Sequence, residues 1–265
     1  PMTPTSPTDP PLRHERDARG VHRITLAEPR SYNVLSDAML DALLAATGRV
    51  ADDAEARAVV IAAEGKAFCA GHNLREMLAH PDLSYYQALF GKCSRMMLGL
   101  LKLPVPVLAR VQGIATAAGC QLVAQCDLAV AAQGVKFGVN GIDVGLFCAT
   151  PSVPLVRNLG PKLAMEMLVT GEFITAEQAC AQGLVNRVVA PEALDGAVES
   201  LVEAILSKPR EALALGKQCF HAQREMGIEA AYQLAGQTMA HNMMQPCAQE
   251  GVLAFTEKRA PAWKP

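Results

Sequence analysis

GKAFCAGHNL, residues 65–74, follows the apolar run Val59, Val60, Ile61, Ala62, Ala63 and precedes a polar stretch with helical spacing. A strand that ends at Ala70-Gly71 and turns at once into a helix leaves backbone N–H groups without partners at a positive helix end. Such a corner attracts a negatively charged oxygen. Phosphate, a reacting thioester and water are the three candidates for its owner.

The composition narrows the choice. At 265 residues and 51% hydrophobic, the chain can bury a large core without disulfide or metal support. A net charge of −2 with scattered Lys and Arg gives no nucleic-acid footprint. The eight cysteines form neither a CxxC pair nor a metal-ligand spacing, so they read as buried thiols of a reducing compartment, here expected to be the cytoplasm. No disulfide and no metal site is expected. Lys102, Gln121, Gln125 and Asp127 interrupt the longest apolar runs, which leaves no membrane-spanning segment. Residues 1–13, rich in Pro and Thr, read as a disordered N-terminal segment outside the fold.

Outward from the quoted stretch the chain alternates strands and helices. Val21 to Leu26 alternates like a strand, and Ser36 caps a helical pattern that contains Met39, Leu40, Leu43, Leu44 and Val50. Ala58 to Ala63 is a continuous apolar run, as in a parallel strand buried on both faces, and Val105 to Val111 reads as another such strand. Ser84 to Leu103 has helical spacing, and short helix and strand pieces follow in Leu122 to Ala132 and Val135 to Val139. Beyond residue 150 come helices at Pro151–Leu159, Pro161–Thr170 and Thr175–Gln182, then a short strand at Val185–Val189. The expected class is α/β, a mainly parallel sheet covered by helices. The tail is helical, and Met226, Met239, Met243 and Met244 give it more apolar surface than a terminal arm needs, for core packing or for a subunit interface.

A second small-residue corner, Gly113 to Cys120 (GIATAAGC), also follows a buried strand and precedes a helix. Neither corner matches GxGxxG or the P-loop pattern, so a nucleotide-dependent oxidoreductase is not supported. Two opposed N–H groups, one per corner, would form an oxyanion hole for a carbonyl becoming an enolate, each donor being worth roughly 3 to 4 kcal/mol in a transition state. Close helix-to-strand packing explains small residues equally well.

The two corners, GKAFCAGHNL and VQGIATAAGCQLVAQCD, occur in order with FGVNGIDVGL, TGEFITAEQACAQGLVNRVV and the ending FTEKRAPAW. Together these motifs resemble the enoyl-CoA hydratase/isomerase (crotonase) family across nearly residues 15 to 263. The TAAGCQLVA and VGLFCATP segments are similar to the enoyl-CoA hydratase domain-containing protein 3 group within it. The resemblance implies a crotonase-like spiral of ββα and βαβ turns over 14–195, a helical oligomerisation region over 196–265, and a homotrimer or dimer of trimers. It implies an acyl-CoA thioester as ligand, coenzyme A arriving with the substrate and no separate cofactor. By the same resemblance the backbone N–H groups of His72 and Ala118 fall on the oxyanion-hole positions. Ala70, Asn73, Leu74 and Arg75 fall along the CoA, Arg30 of the PRSYN segment near its pyrophosphate, and Phe255 and Lys258 on a tail segment that reaches it.

Hydration of an enoyl thioester needs one group to activate water and another to deliver a proton, and in the resembled hydratases two glutamates do so. Gln121 and Gly141 occupy those positions. Gln cannot take a proton near neutral pH and Gly has no side chain, so standard hydratase activity is expected to be weak or absent. Asp143 is the first candidate to substitute, with Glu76 second; Asp127 reads as a buttress of the next strand and Cys148 as a buried thiol without a base. The expected function is an acyl-CoA enzyme of lyase or isomerase type that stabilises a thioester enolate. A non-catalytic acyl-CoA binding or regulatory protein is the alternative from another class.

Overall fold

The computed structural model describes residues 10–262, so residues 1–9 of the expected disordered segment lie outside the described residues. The first strand already starts at Leu12, inside that segment. Strands β1 (Leu12–Arg16) and β2 (Val21–Leu26) form an antiparallel hairpin, with Leu12 paired to Leu26. Helix α1 (Asp37–Asp52) begins where the Ser36 hydroxyl accepts the Met39 N–H, a cap worth about 1 kcal/mol. Met39, Leu40, Leu43 and Val50 share its buried face.

The chain then repeats one pattern. A long strand in a first sheet is followed by a short strand in a second sheet and by a helix or tight helical turn. Strand β3 (Ala58–Ala63) leads to β4 (Ala67–Cys69), α2 (Leu74–Ala79) and α3 (Leu83–Lys102). Strand β5 (Val107–Val111) leads to β6 (Ile114–Thr116) and α4 (Ala118–Gln125). Strand β7 (Leu128–Ala132) leads to β8 (Lys136–Gly138) and a 3-10 turn at Asn140–Val144. Helices α5 (Ala149–Asn158) and α6 (Pro161–Thr170) follow, then β9 (Ile174–Thr175), α7 (Ala176–Ala181) and β10 (Arg187–Val189). Pro106 explains why β5 starts later than the apolar run suggests: it has no N–H to donate, although its carbonyl still accepts from Val59.

The first sheet runs β1-β2-β3-β5-β7-β10 and is parallel from β2 onward; the second runs β4-β6-β8-β9, with only the β8–β9 pair antiparallel. This is the expected α/β spiral. Because β4, β6 and β8 are neighbours, the corners that follow them (residues 70–73, 117–118 and 139–141) lie side by side at the carboxyl ends of parallel strands, where ligand crevices form in α/β folds.

Helix α8 (Leu194–Leu206) buries Leu194, Val198 and Val202 against β3, β5 and β7. The expected boundary at 195/196 therefore falls within a helix that belongs to the sheet layer. Helices α9 (Arg210–Gln223), α10 (Ile228–Met243) and α11 (Pro246–Thr256) complete the chain. They expose Ile228, Tyr232, Met239, Met244 and Phe255, each more than two-thirds accessible.

Candidate functional site

The first corner is held by the segment that precedes α1. Ala70 N–H donates to the Tyr32 carbonyl at 3.1 Å, and Leu35 N–H donates to the Gly71 carbonyl at 2.7 Å. Fully buried Asn33 ties that segment down by donating to the Glu64 and Ala67 carbonyls and accepting from Glu28 N–H. Gly71 has φ +90°, a conformation that a Cβ would strain. Asn73 caps α2 by accepting from Arg75 N–H and Glu76 N–H. His72 N–H has no acceptor among the described residues.

The second corner is strained. Ala117 has φ 51° and ψ −122°, a region nearly confined to glycine and costing about 1 to 3 kcal/mol. Its own N–H donates to the Gly138 carbonyl at 2.9 Å, which holds it there. Ala118 then opens α4 with its N–H unpaired among the described residues. The two corners touch: a Cβ on Gly71 would lie 2.9 Å from the Ala117 Cβ and 3.3 Å from the Ala118 nitrogen. Close packing also accounts for two of the small residues, since a Cβ on Gly119 would meet the Cys69 carbonyl oxygen at 2.0 Å and one on Gly113 the Lys66 oxygen at 2.1 Å.

A cavity of about 350 Å³ opens beside these corners. Ala70, His72 and Leu74 from the first corner, Ala118 from the second and Gly141 from the third contribute to its wall. Met77, Phe90, Leu146 and Phe147 make the rest largely apolar. The His72 imidazole meets Phe90 edge-on at 5.4 Å between ring centroids, and neither ring nitrogen makes a hydrogen bond among the described residues. Burial lowers its pKa, with the Leu35 carbonyl and Asp37 acting weakly the other way, so the ring is neutral. Cys148 also reaches the wall, and burial pushes its thiol pKa up. No carboxylate, lysine or arginine lines this cavity among the described residues.

The other sequence candidates are placed elsewhere. Gly141 is packed full: a Cβ there would lie 2.3 Å from the Leu146 carbonyl oxygen and 2.8 Å from the Cys148 sulfur. Asp143 is exposed beside Gly171 and outside the cavity wall, and the Asn140 amide links it to the cavity, donating to Asp143 while its oxygen accepts from Thr116. Glu76 accepts the Asp37 N–H at 3.1 Å and so caps α1 instead of facing the cavity. Asn73 and Arg75 flank the cavity without forming its wall. Arg30, Phe255 and Lys258 line no described cavity, and Phe255 is 84% exposed.

Gln121 lies on the same face of α4 as Ala118 but lines a second cavity of about 440 Å³ between α3, α4, α5 and α9. Asp127 borders that cavity as well. It accepts the Val107 N–H as the expected buttress, and also meets Lys217 at 2.6 Å and His221 at 2.8 Å. Burial alone would raise the Asp127 pKa, but these three partners outweigh it and hold the carboxyl below its ordinary value. Lys217 and His221 had no signal in the sequence, because they come from the tail about ninety residues away. Among the described residues no three His, Cys, Asp or Glu side chains cluster as metal ligands.

Residues 16–265 match the enoyl-CoA hydratase/isomerase family profile. The chain belongs to this family. Among relatives of this enoyl-CoA hydratase/isomerase member, the mitochondrial enoyl-CoA hydratase domain-containing protein 3 of Mus musculus is 42% identical over 97% of this chain and 86% of its own length. The Homo sapiens counterpart is 40% identical over 97% and 84%. A crystal structure of an enoyl-CoA hydratase from Mycobacterium smegmatis superposes with a TM-score of 0.95 at 59% identity, covering 96% of this chain and 99% of that one. That of human enoyl-CoA hydratase domain-containing protein 3 gives a TM-score of 0.92 at 40% identity, covering 96% and 100%. The relatives' names overturn the expected cytoplasmic location, since these are mitochondrial proteins. Free thiols report a reducing environment, and the cytoplasm is not the only such compartment. No helix among the described residues is long and apolar enough to cross a membrane.

Proposed function

We propose that this enoyl-CoA hydratase/isomerase-family protein binds an acyl-CoA thioester in the smaller cavity, with the carbonyl oxygen received by the N–H groups of His72 and Ala118. The observation that carries the reading is the contact between the Gly71 and Ala117 corners, beside which both N–H groups are left unpaired. Donors fixed where charge develops favour the enolate over the ground-state thioester. Ala70, Asn73, Leu74 and Arg75 would run along the CoA. Arg30 would lie near the CoA pyrophosphate, and the tail residues Phe255 and Lys258 would reach the CoA within an assembly, a homotrimer or dimer of trimers built on the exposed apolar faces of α10 and α11. Coenzyme A comes with the substrate, and no separate cofactor is required.

Turnover by the two-glutamate route is expected to be absent. Gly141 has no room for a side chain, and Gln121 stands in the wall of the other cavity. Asp143 is not part of the wall, and His72 and Cys148 are the titratable groups among its described lining residues. A non-catalytic acyl-CoA binding protein is the second reading, favoured by the lack of any carboxylate among the described lining residues. Incubating the protein with saturated and 2- or 3-enoyl-CoA thioesters in heavy water, followed by mass spectrometry, separates the two. Deuterium at the α-carbon or a moved double bond establishes enolate chemistry. Unchanged thioesters that still bind about 10-fold or more tighter than their thioether analogues, as two neutral hydrogen bonds imply, establish a binding protein. Equal affinity for thioester and thioether removes the hole.

A further inference from the structure

The thioester cavity has donors for an enolate oxygen and no base with which to make an enolate. No carboxylate, lysine or arginine lines its wall among the described residues, and both ring nitrogens of His72 are sealed from solvent. Burial keeps the Cys148 thiol protonated, with the Gly141 N–H acting weakly the other way. Nothing on the wall is therefore suited to remove an α-proton. An enolate also forms when a carbon–carbon bond at the α-carbon breaks and leaves its electron pair behind. A carboxylate on that carbon departs in this way as CO2, and no base is needed.

The wall favours such a departure. Met77, Phe90, Leu146 and Phe147 are apolar, and no cation accompanies them to hold a carboxylate in its charged form. A carboxylate brought there loses hydration, and the loss is relieved as its charge passes to the oxygen received by the His72 and Ala118 N–H groups. Binding of the coenzyme A portion offsets the cost of entry.

The enolate then needs one proton at the α-carbon. Cys148 is 7% exposed and belongs to the cavity wall, and its sulfur lies 2.8 Å from where a Gly141 Cβ would be. A thiol thus fills the space in which a side chain at position 141 would begin. Cys148 is also the N-cap of α5, whose positive end steadies the thiolate once the proton has gone. A thiol that keeps its proton makes a poor base and a suitable donor.

We infer that this protein decarboxylates CoA thioesters that carry a carboxylate on the α-carbon, thioesters of the malonyl type, and that Cys148 delivers the proton to that carbon. The inference rests on the acyl-CoA reading above. The bond between the α-carbon and the carboxylate breaks, its electron pair forms the enolate, and CO2 leaves. The α-carbon takes the Cys148 proton, and the thiolate recovers one from water. One solvent proton is consumed for each CO2, and nothing is oxidised or reduced.

Incubation with 2-methylmalonyl-CoA in heavy water tests the inference, because the propionyl-CoA formed carries one deuteron on a stereogenic carbon. The parent protein should release CO2 at least about 100-fold faster than the protein-free solution, the low end for one oxyanion-hole donor, and give a single enantiomer. Cys148→Ser keeps a donor and should keep the single enantiomer. Cys148→Ala should release CO2 more slowly and give both enantiomers in equal amounts. No release above the protein-free rate overturns the inference, and that comparison needs no variant to fold. Both enantiomers from the parent, or a single one from folded Cys148→Ala, overturns the role of Cys148. Titration with propionyl-CoA keeps the two readings apart: if CO2 is not released but propionyl-CoA binds more tightly than coenzyme A, only the decarboxylation is lost, whereas equal affinity means that the acyl-CoA reading has failed as well.

Discussion

Gly71 and Ala117 press the two corners together: the Cβ that Gly71 lacks would lie 2.9 Å from the one that Ala117 carries. Gly71→Ala adds that atom at a position with φ +90°, so strain and overlap act in the same direction. A loss of about 2 to 3 kcal/mol is expected, read as a lower midpoint in urea unfolding, together with weaker thioester binding.

Ala117→Gly works the other way. Ala118→Gly on the same helix should be destabilising in the usual manner, because glycine adds freedom to the unfolded chain. At Ala117 the relief of the φ 51°, ψ −122° conformation offsets that freedom. Unfolding should show a stability unchanged or raised by up to about 1 kcal/mol, and a loss comparable to that of Ala118→Gly would mean the conformation is unstrained.

Restoring both glutamates should not restore hydration. Gln121→Glu places its carboxylate toward the second cavity, and Gly141→Glu has to displace the Leu146 carbonyl, 2.3 Å from the new Cβ. Crotonyl-CoA hydration followed by ultraviolet absorbance is expected to stay at the level of the parent protein, and the double variant to unfold at a lower temperature. A gain of 100-fold or more, about the contribution of one general acid or base, would contradict this.

The cation beneath Asp127 should be indispensable. Lys217 sits buried, donating to the carbonyls of Leu100 and Val105 at 2.9 Å and to Asp127. Lys217→Met leaves a buried carboxylate with His221 as its one remaining side-chain partner. A loss of about 3 to 5 kcal/mol is expected by denaturant unfolding, with Asp127→Asn in the same background recovering part of it.

The hairpin at the start of the fold should weaken in mild acid. Arg49 Nε donates to His14 Nδ1, which fixes His14 Nε2 as the donor to His22 Nδ1, and His22 Nε2 then donates to Asp53. Burial, with Arg49 and His22 nearby, holds the His14 pKa below its ordinary value of 6.5. A group with a depressed folded pKa stabilises while neutral, so its contribution is full above about pH 6.5 and is lost as the pH falls below it. His72, lowered by its own burial, adds a loss of the same sign. Urea midpoints at pH 7.5 and 5.5 should differ less for His14→Gln than for the parent.

The periodic parts of the fold were legible from the residues alone. The apolar run Ala58–Ala63 is β3 to the residue, and the Ser36 cap is where the spacing puts it. The corners were legible because a strand that runs directly into small residues and a helix has few alternatives. What escaped was set by pairing at long range. Glu76 has the right composition for a site residue and the wrong neighbour, the Asp37 N–H. Gln121 keeps its place on α4, but the cavity it meets is made by α9, a helix about ninety residues later. The crowding at Gly141 depends on the path of Leu146, which spacing does not encode.

The donors at positions 72 and 118 belong to the main chain, and this makes them invisible to conventional side-chain scanning. Ala118 is already alanine, and His72→Ala would leave its N–H in place. A survey by substitution would therefore pass over the proposed centre and credit the apolar wall instead. Semisynthetic replacement of either amide by an ester, which removes one N–H and leaves the side chain unaltered, addresses the chemistry directly. The same property frees the surrounding side chains to drift: a site whose grip lies in peptide groups can lose its glutamates and still hold a thioester.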